Sequence, residues 1–498
     1  MYDKNVKLDF HDLRVKPAII SEINSRAQIN PYYTHENGKE FLPIFTAPMD
    51  TVIDNNNAKL FEDCKIHTII PRGENQPRWG SEHRFKSIGL DDFISQYIDV
   101  DQNEQYFQSQ KTIYILIDMA NGHMNKLYNA VKSAKKMYGE KMVLMVGNIA
   151  NPETYKMFAE IGVDFVRIGI GNGNACFLGE TLVLTKNGKK RIEDIIVGEY
   201  VLTHDGTYQE VLAKHTNGEE KELIKINDTT STKDHEYYVI HKDFKDIIND
   251  ENIHQYAKFV RAEELTEDYF LLEIDMKKYK LIEIKSKEII KLKNLITVYD
   301  LTVNKNHTYT ANGMIVHNCL TTKQTTIGYP MASLIEECRK IKIQKGFYNT
   351  KIVADGGMKD FSDVILALAI GADYVMVGSL FNKALESCGD TYLFKKIKVN
   401  QYSDFAKWLF KKKFKLTKKF RGMSTKEVQK KWGKEIIKTS EGVVKKQEVQ
   451  YTLQQWTKNF EDYLRTAMSY TNSKNLDYFI GEVEIIRISD KAYDRFNK

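Results

Sequence analysis

The sequence predicts an α/β protein: a (β/α)8 barrel split in two by an all-β block. Three observations carry the prediction. Short apolar runs ending in Gly, Asp or Asn alternate with amphipathic helical stretches as far as Ala175. The same alternation resumes after Cys319. Between them the texture changes to short β-type segments broken by Asn-Gly and Asp-Gly turns, the hairpin signal. The expected organisation is therefore residues 1–175 and 319–498 of one barrel around an inserted block, 176–318.

The apolar runs are, in order, "LPIFTAPMD", "KIHTIIPRG", "TIYILIDMANG", "MVLMVGNIA" and "DFVRIGIGNG". Each is apolar nearly throughout, as a parallel strand covered on both faces must be. "NPETYKMFAEIG" fits a helix between the last two, with Asn151 as its N-cap and Gly162 closing it. Beyond the block, "KIVADGGMKDFSDVILALAIGADYVMVGSL" reads as strand, helix, strand. Polar residues at the C-terminal ends of barrel strands line the active site. Here those ends carry Asp50, Asp118, Asn148, the Gly171–Gly173 loop, Asp355–Gly357 and Gly378–Ser379.

A chain of 498 residues, 42% hydrophobic and 28% charged, has the composition of a globular protein with real cores. Its N-terminus, "MYDKNVKLDFHDLRV", lacks the apolar run of a signal peptide. No stretch approaches the ~18–20 apolar residues of a membrane span. Five scattered cysteines suit a reducing compartment, so a cytoplasmic location and no membrane partner are expected. The net charge of +6 is modest, although lysines crowd Leu393 to Gly422. That run is read as a solvated helix face without an aromatic stacking pattern, and no nucleic-acid partner is expected.

The edges of the block carry chemistry. Cys176 begins it, and His317-Asn318 ends it immediately before Cys319. A thiol at each junction permits acyl transfer from one sulfur to the other. The side-chain amide of Asn318 can attack its own backbone carbonyl and cut the chain, with His317 placed to assist. Thr232 and His235, in "TKDH", supply a hydroxyl and an imidazole that could strain and protonate the Ala175–Cys176 amide.

In these features the block resembles an intein, a self-splicing element of all-β, Hint-type fold. "CFLGETLVLT" resembles the family's first splicing motif, Thr232–His235 its T-x-x-H motif, and "VYDLTVNKNHTYTANGMIVHNC" its terminal motif. The resemblance implies an N-to-S acyl shift at Cys176, transfer to Cys319, cyclisation of Asn318, and ligation of Ala175 to Cys319. It implies assistance from Thr232 and His235 in the first step, from Asp300 in coupling the steps, and from His307 and His317 at Asn318. The spacing between motifs leaves no room for a homing endonuclease, so a mini-intein is expected.

Removing the block joins "RIGIGNGNA" to "CLTTKQTTIGYP". The product resembles the cysteine loop of the IMP dehydrogenase and GMP reductase family. So do "APMDTVI" (Ala47–Ile53), "DMANGH" (Asp118–His123), "VGNI" (Val146–Ile149), "ADGG" (Ala354–Gly357), "VGSL" (Val377–Leu380) and "FRGMS" (Phe420–Ser424). The resemblance implies Cys319 as the nucleophile towards a purine nucleotide, GMP or IMP. It also implies Asp355 on the ribose, a phosphate nest of backbone N–H groups at Gly356-Gly357 and Gly378-Ser379, and Met49, Gly422 and Met423 against the base. Asp118 and Asn148 are expected near the nicotinamide of NADPH or NAD. Gly171 and Gly173, with Cys319, match the family's site for a monovalent cation such as K+. A homotetramer is expected after splicing. Asn174 departs from the family, many of whose members have serine there.

Between the two activities, the resemblance leans towards the reductase. The dehydrogenase needs a flap Arg-Tyr pair to hydrolyse its thioimidate, and Gly422 to Leu464 contain no arginine. Glu441, in "SEG", resembles the reductase glutamate that works with the threonine two places after the cysteine, here Thr321. "GYP" and "ANGH" point the same way, whereas "APMDTV" and "FRGM" resemble the dehydrogenase. A nucleotide-binding regulator without turnover is the remaining alternative.

Overall fold

In a computed structural model of the chain, the residues described are 7–35, 38–74, 81, 83–100, 111–169, 177–233, 235–275, 278–306, 308–317, 328–394, 396–421, 444–489, 492 and 495. The chain divides into two compact units, Met1–Gly171 with Gly328–Lys498, and Asn172–Ile327.

The first unit is built on eight parallel strands: β1 (Ile44–Thr46), β2 (Thr68–Ile70), β3 (Arg84–Ile88), β4 (Ile113–Asp118), β5 (Met142–Ile149), β6 (Phe165–Ile168), β7 (Lys351–Asp355) and β8 (Tyr374–Val377). They pair in chain order, and β8 pairs with β1. A parallel bridge between Phe45 and His67, with Thr46 N–H donating to His67 at 2.9 Å, joins β1 to the start of β2 and closes the ring. The result is a (β/α)8 barrel.

The helices follow from local sequence. α1 (Pro152–Glu160) lies between β5 and β6; Asn151 caps it by accepting from the Glu153 N–H at 2.9 Å, and Gly162 follows at φ +80°. Both were expected from the sequence. After β6 the chain leaves for the second unit and returns to α2 (Met331–Lys345), which precedes β7. α3 (Phe361–Ile370) then joins β7 to β8. Inside the barrel, Phe45, Phe85, Phe165 and Tyr374 meet at centroid distances of 5.0–5.8 Å. Buried aromatics of this size contribute ~1.5–3 kcal/mol each by leaving water. Outside it, Ile, Leu and Val from strands and helices form the main core. The sequence run containing β3, "RFKSI", was not among the expected strands; it buries Phe85, Ser87 and Ile88 while Arg84 pairs with Glu62 at 2.6 Å.

The second unit is all β. "NG" at Asn187-Gly188 and "DG" at Asp205-Gly206 turn two antiparallel hairpins, as expected. The strands are not all short, however. Tyr208–Ile226 and Lys287–Val303 run 19 and 17 residues and pair along most of their length. Register shifts near Val211, Asn217 and Glu220 let such long strands bend. Among the described residues no helix is long and apolar enough to cross a membrane.

Candidate functional site

Three of the expected site residues converge at the C-terminal end of the barrel. Asp118 and Asp355 are the last residues of β4 and β7, and Asn148 lies in the final turn of β5. The side-chain amide of Asn148 donates to Asp355 Oδ2 at 2.8 Å and to the Gly169 carbonyl at 2.7 Å. Gly169 is obligatory: its φ is +114°, and a Cβ there would lie 2.3 Å from the Asp355 carbonyl oxygen.

The residue that binds this group together is Arg167, on β6. Its guanidinium donates to Asp118 Oδ1 at 2.5 Å and sits 3.5 Å from Asp355 Oδ2, with its side chain only 5% exposed. Arg72 approaches the other Asp118 oxygen at 3.4 Å. Burial pushes the Asp355 carboxyl above the usual aspartate range, and the Asp118 charge adds to this; Arg167 and the Asn148 amide pull the other way. Sequence reasoning missed Arg167. The available signal was a charge inside an otherwise apolar strand, which is rare without a buried partner.

Met49 and Gly378 also meet. A Cβ at Gly378 would stand 3.1 Å from Met49 Sδ and 3.2 Å from the Ala47 Cβ, so the thioether is seated against that glycine. Ser379 opens a four-residue helix with Gly378 as its N-cap. Gly356 and Gly357 both have positive φ, +97° and +85°. Unlike Gly378, they do not cap a helix. Instead α3 starts at Phe361 and is capped by Asp360, because that side chain can accept from the Ser362 and Asp363 N–H groups. Arg421 holds Asp50 through two contacts, Nε–Oδ1 at 3.2 Å and Nη2–Oδ2 at 2.5 Å, tying "FRGM" to "APMD". Cys319, Thr321, Glu441, Gly171, Gly173, Gly422 and Met423 lie outside the described residues.

In the second unit, the strand Phe177–Leu178 begins directly after Cys176, and Phe177 pairs with both Ser231 and Tyr299. Ser231 and Tyr299 are the chain neighbours of the two expected assisting residues Thr232 and Asp300. The His235 ring packs on Phe177 at 4.0 Å between centroids, and His235 N–H donates to the Thr232 carbonyl at 3.2 Å. Thr232, His235 and Asp300 are all buried. Tyr309 donates its hydroxyl to Asp300 Oδ1 at 2.5 Å and lies 6.1 Å from the Phe177 ring. The strand carrying His317 is paired with this region through Thr308↔His317 and Tyr309↔Val316. Tyr309 was not singled out from sequence, since nothing marks a tyrosine in "HTYTANG" as a carboxylate partner. Cys176, His307 and Asn318 lie outside the described residues.

Comparison with known proteins bears on the first unit. The sequence matches the family described as "IMP dehydrogenase / GMP reductase domain" over residues 95–196 and 313–495. It is 30% identical over 174 residues to GMP reductase of Bacillus anthracis, covering 34% of this chain and 52% of that protein. Against GMP reductase of Clostridium acetobutylicum the figures are 30% over 174 residues, 34% and 52%. Against GMP reductase 2 of Bos taurus they are 28% over 189 residues, 35% and 52%. The chain thus spans about half the length of these relatives. The family match takes in more than half of the chain and breaks where the second unit intervenes. In its two outer segments, then, this chain belongs to the IMP dehydrogenase / GMP reductase domain family.

Proposed function

We propose that the chain is a precursor that excises residues 176–318 and thereby joins the halves of a purine-nucleotide oxidoreductase, a GMP reductase. The observation that carries this reading is the interruption of the family match between residues 196 and 313, inside a compact, mainly β unit, Asn172–Ile327. The packing of His235 on Phe177, and the pairing of Phe177 with the chain neighbours of Thr232 and Asp300, support the splicing half.

In the proposed splicing sequence, the Cys176 thiol attacks the Ala175 carbonyl, and His235 supplies the proton to the departing nitrogen. The acyl group passes to the Cys319 sulfur. Asn318 cyclises with cleavage of its bond to Cys319, and the freed Cys319 amine takes the acyl group from sulfur. Asp300, buried and held by Tyr309, would help couple these steps.

In the joined enzyme, Cys319 attacks C2 of GMP, and ammonia leaves with protons handled by Thr321 and Glu441. Asp355 accepts from the ribose hydroxyls, Met49 lies under the base, and the backbone at Gly356-Gly357 and Gly378-Ser379 takes the phosphate. The donor set at the barrel mouth fits a nicotinamide carboxamide: Asp118 accepts, and Asn148 carries an amide. NADPH, when bound, supplies the hydride that replaces the amino group and yields IMP. The names of the relatives support the reductase. A dehydrogenase converting IMP to XMP with NAD is the second reading, favoured by the Asp50–Arg421 pair that links the two dehydrogenase-like motifs.

Mass spectrometry of the expressed chain tests splicing: residues 1–175 bonded to 319–498, with free 176–318, are expected. An intact 57.8 kDa chain as the sole product would overturn that half. NADPH oxidation with GMP, set against NAD reduction with IMP, tests the other half. Turnover in neither would leave a nucleotide-binding regulator.

A further inference from the structure

The lysine-rich run has a surface that composition did not foreshadow. Four antiparallel strands, Thr391–Leu393, Ile397–Val399, Leu416–Arg421 and Val444–Glu448, form a small sheet in the first unit. Helix α4 (Asp404–Lys411), capped by Ser403, packs on it through Ala406 and Leu409, which share a core with Val399 and Leu416. Its other face presents Phe405 and Trp408, 57% and 48% exposed. Their ring planes are within 13° of parallel at 6.1 Å, and Trp408 is within 27° of Phe414 at 5.9 Å. Phe414 is itself exposed. So the rings form a row of nearly parallel aromatic surfaces in water, correcting the expectation of a merely solvated helix face.

Lysines border this row. Lys396, Lys411, Lys412 and Lys413 are exposed and make no ion pair among the described residues. A second copy of the chain is a poor occupant, because a two-fold contact would bring like charges together. A membrane-inserting helix separates its apolar and basic faces. Here the buried apolar face, Ala406 and Leu409, is already used against the sheet, and what stays exposed on the helix is the aromatic pair beside unpaired lysines. Parallel exposed rings with unpaired lysines in the same segment instead match the way unpaired bases and their phosphates are held.

We propose that this face binds single-stranded nucleic acid, with bases stacking on Phe405, Trp408 and Phe414 and phosphates on the neighbouring lysines. Stacking makes the site tolerant of sequence, and the lysines make it sensitive to salt. The inference does not depend on splicing or on reductase activity.

Fluorescence anisotropy of the purified protein, in whichever form expression yields it, with labelled twelve-nucleotide oligo-dT and oligo-U tests it, alongside a duplex of equal length and phosphatidylserine vesicles. The single strands are expected to bind more tightly than the duplex and to quench Trp408 fluorescence. Phe405→Ala/Trp408→Ala should weaken binding by about tenfold or more at unchanged circular dichroism. Lys411→Glu/Lys412→Glu should flatten the salt dependence. Failure of both oligonucleotides to bind, undiminished binding by the aromatic double variant, preference for duplex, or binding to vesicles alone would each overturn the proposal.

Discussion

Asn148 donates to Asp355 across 2.8 Å, linking a residue that precedes the inserted unit to one that follows it. β6, where the chain leaves the barrel, runs between the two strands that carry them. The contact also sets a charge state. Burial raises the Asp355 carboxyl and the Asn148 amide lowers it, so Asn148→Ala moves the carboxyl further up. If ionised Asp355 receives the ribose, the acid limb of a KM-against-pH profile for GMP shifts to higher pH in Asn148→Ala. Asp355→Ala should remove that limb and raise KM by about tenfold or more.

Arg167 neutralises Asp118 and lies near Asp355 in a buried position. Arg167→Met leaves two carboxylates without their common cation, and a loss of ~3–5 kcal/mol in urea unfolding is expected. Adding Asp118→Asn to that variant should recover part of the loss, since one of the uncompensated charges disappears.

Lys418 is buried, donates to the Ser387 carbonyl, and has its pKa pushed down to about 7 by burial. Unfolded, it titrates near 10.5. Between those values the unfolded chain holds more protons than the folded one, so this residue makes stability rise with pH. The penalty is complete below about pH 7 and relieved by about pH 10.5. Lys418→Met should therefore have a flatter stability profile than the native chain between pH 7 and 9.5, measured by denaturant midpoint.

In the proposed splicing sequence, His235 and Tyr309 serve different steps. His235→Ala, in an Asn318→Ala background, should slow hydroxylamine-sensitive cleavage at Cys176 by ~10²–10⁴. Tyr309→Phe removes only the hydrogen bond to Asp300. It should delay ligation more than that first cleavage, read as accumulation of branched or unligated species on denaturing gels.

Strands whose sequences are apolar on both faces were legible, as were helices with a side-chain cap: "MVLMVGNIA" and Asn151 are examples. β3 escaped because Arg84 and Lys86 break its apolar run, and Arg84 finds its partner only in the folded state, at Glu62. The lengths of Tyr208–Ile226 and Lys287–Val303 escaped because strand pairing overrides local turn signals; Asn217, in a second "NG", pairs with Val298 inside a ladder. At the barrel mouth, positions at strand ends predicted Asp118, Asn148 and Asp355 as neighbours. Arg167 depended on which side of β6 faces inward, a matter of register that one sequence does not state.

The seam at Phe45 and His67 has a consequence for inheritance. With it, each barrel strand is joined to its neighbours while residues 176–318 are still in the chain, β1 and β2 by that single bridge and β6 and β7 by a ladder that spans them. A polypeptide that folds before excision escapes the proteolysis that clears misfolded ones. In the proposed precursor, a mutation that merely slows excision is then paid for in lost turnover rather than lost protein, so selection can tune the timing of release without first having to rescue the fold.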